Sequence, residues 1–405
     1  MILDRVDDDP RYLSYCTNVH PGETLDEITA DLQRHAVPLK RRLRPDGPFA
    51  LGLRLSERAI TELDSDPGAF ERFATFLNTH GFVAYTLNVF PQGGFHDDVV
   101  KERVYAPDWT EDSRHAYTLA AARVLERLLP PDESFGTLST LPLGYAADKS
   151  AFPREAATRA MARLAEDLAR LEETTGRRLL VCLEPEPLCV LETTRETIGW
   201  YHDELLAYAG DLTPVAARSG EELVRRHVGV CYDACHLAVE FEDAAYSMER
   251  YLREGIEVGK IQISCALEVQ RPRENPDGVR QLAAFAEPRF LHQVVARDAS
   301  GHLHRFLDLP PFLQWLEDSD VRVDCARCHF HVPIHLATSF PLGTTQPQLD
   351  ELLHRELRRR SVRHLEVETY TFDVLPAEAG ASRHLSESLE AELRYAQHGL
   401  THDAG

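Results

Sequence analysis

The chain has 405 residues, 43% of them hydrophobic, ample for a large core and leaving little room for long disorder. Acidic residues outnumber basic ones 66 to 44, for a net charge of −22. That balance disfavours nucleic acid and anionic membranes, which are held through Lys and Arg. No stretch approaches the roughly eighteen uninterrupted apolar residues of a membrane span. The acidic start, Met1 to Pro10, lacks the basic and apolar regions of a signal peptide, so a cytoplasmic location is expected.

Strand-like runs alternate with helical patterns along nearly the whole chain, which argues for a parallel sheet with crossover helices. A first strand is predicted at 15–20 and an amphipathic helix at 23–43. A strand at 50–55 precedes a helix running from the N-cap Ser56 to about residue 78. Residues 82–90 form the next strand and 109–129 its helix. The series continues with strands at 135–143, 179–184, 228–233 and 260–266, and helices at 153–173, 195–208 and 237–254. Strands at 327–336 and 364–371 and a helix at 386–397 complete it. No low-complexity linker interrupts the pattern, so residues 1–405 read as one domain, a (β/α)8 TIM barrel. Nine strand candidates compete for eight barrel places. The surplus lies in an elaboration at about 267–345, a long insertion before the last strand that holds a predicted hairpin turning at Asp298-Ala-Ser-Gly301.

Eight cysteines, expected to be reduced in the cytoplasm, fall mostly on predicted strands. Cys325-Ala-Arg-Cys328-His329 has the form of a haem attachment site. That chemistry belongs to exported proteins, and a zinc ribbon needs a second such pair. Buried core thiols are the expectation.

Polar residues recur at the C-terminal ends of the strands, the end at which barrel active sites lie. They are Asn18 and His20; Asn88 with His96 just after; Glu184; Asp233 and His236; His329 and His331; Glu366 and Glu368. Singly, a strand-terminal carboxylate is often a helix N-cap and a histidine there is often structural. Repeated on three strands after apolar runs, the carboxylates are costly to bury unless something compensates their charge. A divalent cation (Mn, Mg, Co or Zn) does so, and oxygen ligands plus an imidazole suit any of the four.

The order Glu184, Asp233-x-x-His236 and a carboxylate on the last strand resembles the xylose-isomerase-like TIM-barrel superfamily of sugar isomerases and epimerases. Tyr15-Cys-Thr-Asn-Val-His-Pro-Gly-Glu23, Val100-Lys-Glu-Arg-Val-Tyr-Ala-Pro-Asp-Trp109, Leu138-Ser-Thr-Leu-Pro-Leu143, Cys328-His-Phe-His-Val-Pro333 and His364-Leu-Glu-Val-Glu-Thr-Tyr-Thr371 more closely resemble the metabolite traffic protein EboE family. The superfamily resemblance implies metal ligands Glu184, Asp233 and Glu368. Where its histidine ligand stands on strand seven, this chain has Gln262. Three alternatives follow: Gln262 acts itself through its amide oxygen, a histidine of the insertion (His331, His329 or, less simply, His292) takes its place, or the metal is lost altogether. The resemblance further implies Glu184 and Glu368 as the catalytic pair. His236, His329 and Gln262 would be substrate contacts, with Asn18, His20, Asn88, His96 and Lys101 as hydroxyl or phosphate contacts. The expected activity is a metal-dependent isomerase or epimerase acting on a sugar, a cyclitol or their phosphates. The alternatives are a metal-dependent hydrolase or lyase and a non-enzymatic carrier. Expected partners are a small polyol-like metabolite and pathway proteins, with no membrane insertion.

Overall fold

The computed structural model describes residues 1–6, 9–146, 148–336, 341–376 and 384–401. Its strands are β1 (Ile2–Val6), β2 (Asp9–Tyr15), β3 (Phe49–Arg54), β4 (Phe82–Asn88), β5 (Phe135–Thr140), β6 (Arg178–Leu183), β7 (Val228–Asp233), β8 (Val258–Ile263), β9 (Cys265–Gln270), β10 (Val294–Asp298), β11 (Leu303–Phe306), β12 (Val323–Val332), β13 (Gly343–Thr344) and β14 (His364–Val367). Eight of them, β2 to β8 and β14, form a parallel barrel in the order β2-β14-β8-β7-β6-β5-β4-β3. The Cys16–Gly52 bridge closes it, and β1 adds an antiparallel flank to β2. Barrel strands covered on both faces read as continuous apolar runs, and β3, β5 and β7 are buried at every position.

The surplus strand belongs to a second sheet. It is antiparallel, in the order β11-β10-β12-β9-β13, and includes the expected hairpin as β10 and β11. Only Ser264 separates β8 from β9, so the seventh barrel strand runs directly into it. Residues 327–336 are therefore not a barrel strand; the corresponding strand is β12, paired with β9 and β10. The register of β12 against β9 shifts between Cys328 and Val332, a bulge containing His329 and His331. Bulges re-aim side chains, often beside functional sites.

Other boundaries moved for local reasons. The first strand lies earlier than predicted, at β2, because Arg11 and Ser14 are fully buried and break the apolar pattern there. Asn18 then falls on a 3-10 turn, Thr17–Val19. The helix predicted from Ser56 to about 78 is two, Glu57–Ser65 and Pro67–His80. The residue before a proline is pushed out of the helical region, and Asp66 is extended and caps the second helix. The helix predicted at 237–254 divides into Ala234–Val239 and Ala244–Arg253, capped by Asp233 and Asp243. None of the described helices is long and apolar enough to cross a membrane.

One ion pair lies inside the barrel, below the mouth. Lys260 Nζ is 2.7 Å from Glu366, both side chains fully buried. Ser139 accepts from the ammonium at 3.2 Å, and Ser14 donates to the carboxylate at 3.3 Å. Position 52 must be glycine here, since a Cβ would stand 1.2 Å from Glu366 Oε2. Lys260→Met strands the carboxylate and is expected to destabilise the protein by ~3–5 kcal/mol. The double change with Glu366→Leu should recover most of that loss in urea denaturation. Equal losses in the single and double variants would show that the pair is not the interaction at stake.

Candidate metal and substrate site

The carboxylates predicted as ligands meet. Oxygens of Glu184, Asp233 and Glu368, each following or ending a different barrel strand, lie within 4.8 Å of one another, and all three residues are buried. Asp233 divides its work. Its Oδ1 accepts from the His236 backbone N–H and from Ser264 Oγ, both at 2.9 Å, and so caps the following helix. Its Oδ2 has no hydrogen-bond partner, and neither has Glu184 Oε2. Glu368 Oε1 accepts from Asn18 Nδ2 at 2.8 Å and Asn88 Nδ2 at 3.0 Å. The Asn88 amide is itself fixed, because its oxygen accepts from Phe90 N–H. Burial, reinforced by neighbouring carboxylates, pushes the pKa of Glu184 and Glu368 well up.

Three imidazoles stand beside this group, and their partners fix their tautomers. His236 Nδ1 faces the Pro185 carbonyl at 3.2 Å, and His331 Nδ1 faces the Glu368 carbonyl at 2.8 Å. A carbonyl only accepts, so both Nδ1 atoms carry the hydrogen, and in the neutral rings both Nε2 atoms present lone pairs. Those two Nε2 atoms are 3.4 Å apart, and His236 Nε2 is 3.9 Å from Asp233 Oδ2. Facing lone pairs beside an unpartnered carboxylate oxygen repel unless a cation lies among them. His329 follows the same pattern: Nδ1 donates to Gln293 Oε1 at 2.7 Å, and its buried Nε2 has no partner. The donor set therefore fits a divalent cation held by Glu184, Asp233, Glu368 and an imidazole.

A cavity opens above. Asn18, Asn88, Lys101, Glu184, His236, His329, His331 and Glu368 of the predicted residues line it. Asp233 is not among its lining residues, and three others do not line it either. His20 is buried with its ring stacked on His35 and its Nε2 bonded to Tyr15, and burial lowers its pKa to about 3. His96 holds the backbone carbonyl of Asn18 at 2.6 Å, one layer behind the cavity. Gln262 is fully buried below the mouth, with neither amide atom partnered, and is not among the lining residues. Its strand register places it beside Asp233 and Glu366. Lys101 lines the cavity, but its ammonium is engaged by Asp308 and the Phe290 carbonyl, both at 2.6 Å. His292 turns away to Glu287. Cys325 and Cys328, three apart on β12, lie on opposite sides of the strand, and all eight cysteines are free and buried, which fits neither haem attachment nor a zinc ribbon.

Sequence reasoning missed Glu186. It lines the cavity, accepts from Tyr105 O–H at 2.6 Å and Gln293 Nε2 at 3.3 Å, and burial raises its pKa to about 8. The signal was present in Glu184-Pro-Glu186, two carboxylates at alternate positions.

No protein-family model and no curated protein matches the chain. Among solved structures, a xylose-isomerase-like TIM-barrel protein from Mycobacterium smegmatis, in complex with magnesium, aligns over 96% of this chain and 98% of its own, with TM-score 0.50 and 10% identity. The probable 3-DHS dehydratase AsbF of Bacillus anthracis aligns over 95% and 97% (TM-score 0.39, 11% identity). The IolI protein with a bound zinc atom aligns over 64% and 73% (TM-score 0.36, 12% identity). At such identities what is shared is the fold. The chain has the fold of a xylose-isomerase-like TIM barrel, with a cluster of Glu, Asp and His at its mouth that could hold a metal.

The buried charges predict how metal-free protein responds to pH. Glu184 and Glu368 have raised pKa values, as do Glu186 (about 8), Glu392 (about 8) and Glu240 (about 7). Such acids support folding fully below their unfolded value near 4.5 and lose that contribution as pH rises through the folded one. The lowered histidines, including His227 at about 4, act oppositely and only below about 6.5. Chelated protein should therefore lose stability between about pH 6.5 and 8, each acid contributing a slope of up to ~1.4 kcal/mol per pH unit. A divalent cation should flatten that slope in thermal denaturation. A flat profile without metal would mean that the carboxylates are compensated in some other way.

Proposed function

We propose that this chain is a metal-dependent isomerase or epimerase acting on a sugar, a cyclitol or their phosphates, with its barrel and second sheet forming one domain. The observation that carries this reading is the convergence of Glu184, Asp233 and Glu368 with the imidazoles of His236 and His331 at the floor of a cavity. When bound, a divalent cation (Mn, Mg, Co or Zn) at Glu184, Asp233, His331 and Glu368 supplies positive charge against the negative charge that develops on substrate oxygens. The Mycobacterium smegmatis structure, solved with magnesium, is in keeping with such a cation.

The protein's own groups handle the proton. Glu184 and Glu368 form the pair in which one removes a proton next to a carbonyl and the other returns it. Asn18 and Asn88 hold Glu368 Oε1, which fixes the carboxylate plane toward the cavity. His236 and His329 offer Nε2 as acceptors for substrate hydroxyls. His96 acts at one remove, by fixing the turn that carries Asn18. His20, Gln262 and Lys101 are positioned as supports of the mouth.

The motif resemblance to the EboE family supports a second reading, a cytoplasmic metabolite carrier working with pathway proteins on the same cavity. A hydrolase or lyase would use the same cation and carboxylates. Solvent deuterium incorporation into a panel of ketoses, inosose-like cyclitols and their phosphates, with metal restored, separates the readings. Glu184→Gln and Glu368→Gln keep the side-chain size but lose the basic oxygen, so exchange should fall ~10²–10⁴-fold with folding intact. His236→Asn should chiefly raise KM. Undiminished exchange in both Gln variants removes these residues from the chemistry, and tight binding without exchange favours the carrier.

A further inference from the structure

The cavity has two chemically different ends. Its floor is the carboxylate and imidazole group. Its outer wall is an aromatic box closed on itself, three rings packed on one another: Phe95 and Phe290 have ring centroids 5.3 Å apart, Phe95 and Tyr370 5.0 Å, and Phe290 and Tyr370 5.1 Å. The three rings come from the loop after β4, from the second-sheet insertion and from the segment after β14. Val104 and Leu291 extend the apolar wall.

A free monosaccharide is polar on every side, and its outer hydroxyls would meet this wall unpaired, at a cost. A sugar phosphate would need a free cation there. Lys101 is the one Lys or Arg lining the cavity among the described residues, and Asp308 already neutralises it at 2.6 Å. Its remaining reach is spent on the Phe290 carbonyl, so freeing it would unpin one ring of the box. The site thus asks for a hydroxylated ring at the floor and an uncharged, flat apolar group at the wall.

Resting on the isomerase or epimerase reading, we infer that the substrate is a glycoside-like molecule, a polyol ring bearing an aromatic or similarly flat apolar aglycone, and not a free sugar or a sugar phosphate. The aglycone lies against the cavity-facing side of the packed Phe95, Phe290 and Tyr370 rings, where offset and edge-to-face contacts are favourable. The polyol is then held over Glu184 and Glu368.

Calorimetric titration of the full chain, loaded with manganese, tests this. The probes are 4-nitrophenyl glycosides of gluco, galacto, manno and xylo configuration, the matching methyl glycosides and free sugars, and glucose 6-phosphate. At least one aryl glycoside should bind tenfold or more tightly than its methyl counterpart, and glucose 6-phosphate no more tightly than glucose. Val104→Trp fills the apolar end without removing a ring of the box and should abolish the aryl preference. Phe290→Ala should weaken aryl binding about tenfold with manganese content unchanged. Equal aryl and methyl affinities, tighter binding of the phosphate, an aryl preference that survives Val104→Trp, or no aryl binding at millimolar concentration would each overturn the inference. Deuterium exchange into free ketoses without aryl preference would defeat this inference and leave the isomerase reading intact. Aryl preference without any exchange would do the reverse.

Discussion

The organising constraint of this molecule is negative charge buried at the open end of a barrel. Glu184, Glu186, Asp233, Glu366 and Glu368 are all nearly inaccessible to solvent, and Lys260 is the buried lysine that answers them. Lys260 is committed to Glu366, at 2.7 Å. The other four carboxylates must be compensated by hydrogen bonds, by protonation or by a cation, since an ionised carboxylate in a dry interior is otherwise prohibitively costly. Much of the surrounding structure follows from that need. Asn18, Asn88, Tyr105, Gln293 and Ser264 direct donors at carboxylate oxygens, and Gly52 leaves room for Glu366. The hydrogen bonds satisfy one oxygen of Asp233 and leave the other free, and Glu184 Oε2 is likewise without a partner. That residue of unmet charge is what a divalent cation matches.

The second sheet is the device that brings imidazoles to this charge. The seventh barrel strand carries an amide, Gln262, beside Asp233, and that amide is buried below the mouth with neither atom partnered. Continuation of β8 into β9 across Ser264 lets β12 pair beside the mouth, and its bulge turns His329 and His331 inward. Ser264 itself donates to Asp233. The hinge between the sheets is thus also a support of the carboxylate group. Arg305, from β11, reaches back to Glu240 and Glu192 of the barrel loops, tying the sheet down with charges that are themselves largely buried.

Most of the barrel was legible because β3, β4, β6, β7 and β8 are largely apolar runs of six or seven residues among helices of clear periodicity. β6 and β7 end in Glu184 and Asp233 as the pattern implies, one residue past the strand for Glu184 and at its last residue for Asp233. Legibility failed where polar residues are buried for structural reasons. Arg11 and Ser14 hid β2. Glu186 stands behind a proline, two residues past the end of the predicted strand 179–184. His20 and His96 carried the right residue type at a plausible distance from a strand end, but direction is a tertiary property. His20 turns to Tyr15 and His35, and His96 to a backbone carbonyl. The partners that fix imidazole tautomers, Pro185, Gln293 and the Glu368 carbonyl, are far from their histidines in sequence. No spacing could have shown that the lone pairs converge.

Asp233 shows why the ordinary and the functional readings of a strand-terminal carboxylate need not compete. As N-cap it satisfies the His236 N–H, a contribution of about 1 kcal/mol by the usual worth of such caps. That bond orients the first turn of the helix Ala234–Val239, and the same turn carries His236 to the Pro185 carbonyl. The cap therefore sets the tautomer of the imidazole three residues on, and its lone pair returns to within 3.9 Å of the second oxygen of the same Asp233. Local helix chemistry and the cation-compatible geometry are one arrangement. A change that preserves the carboxylate but loosens the turn would misplace the imidazole, and one that preserves the cap but removes the charge, such as Asp233→Asn, would leave the helix intact and the lone pairs without their counterpart.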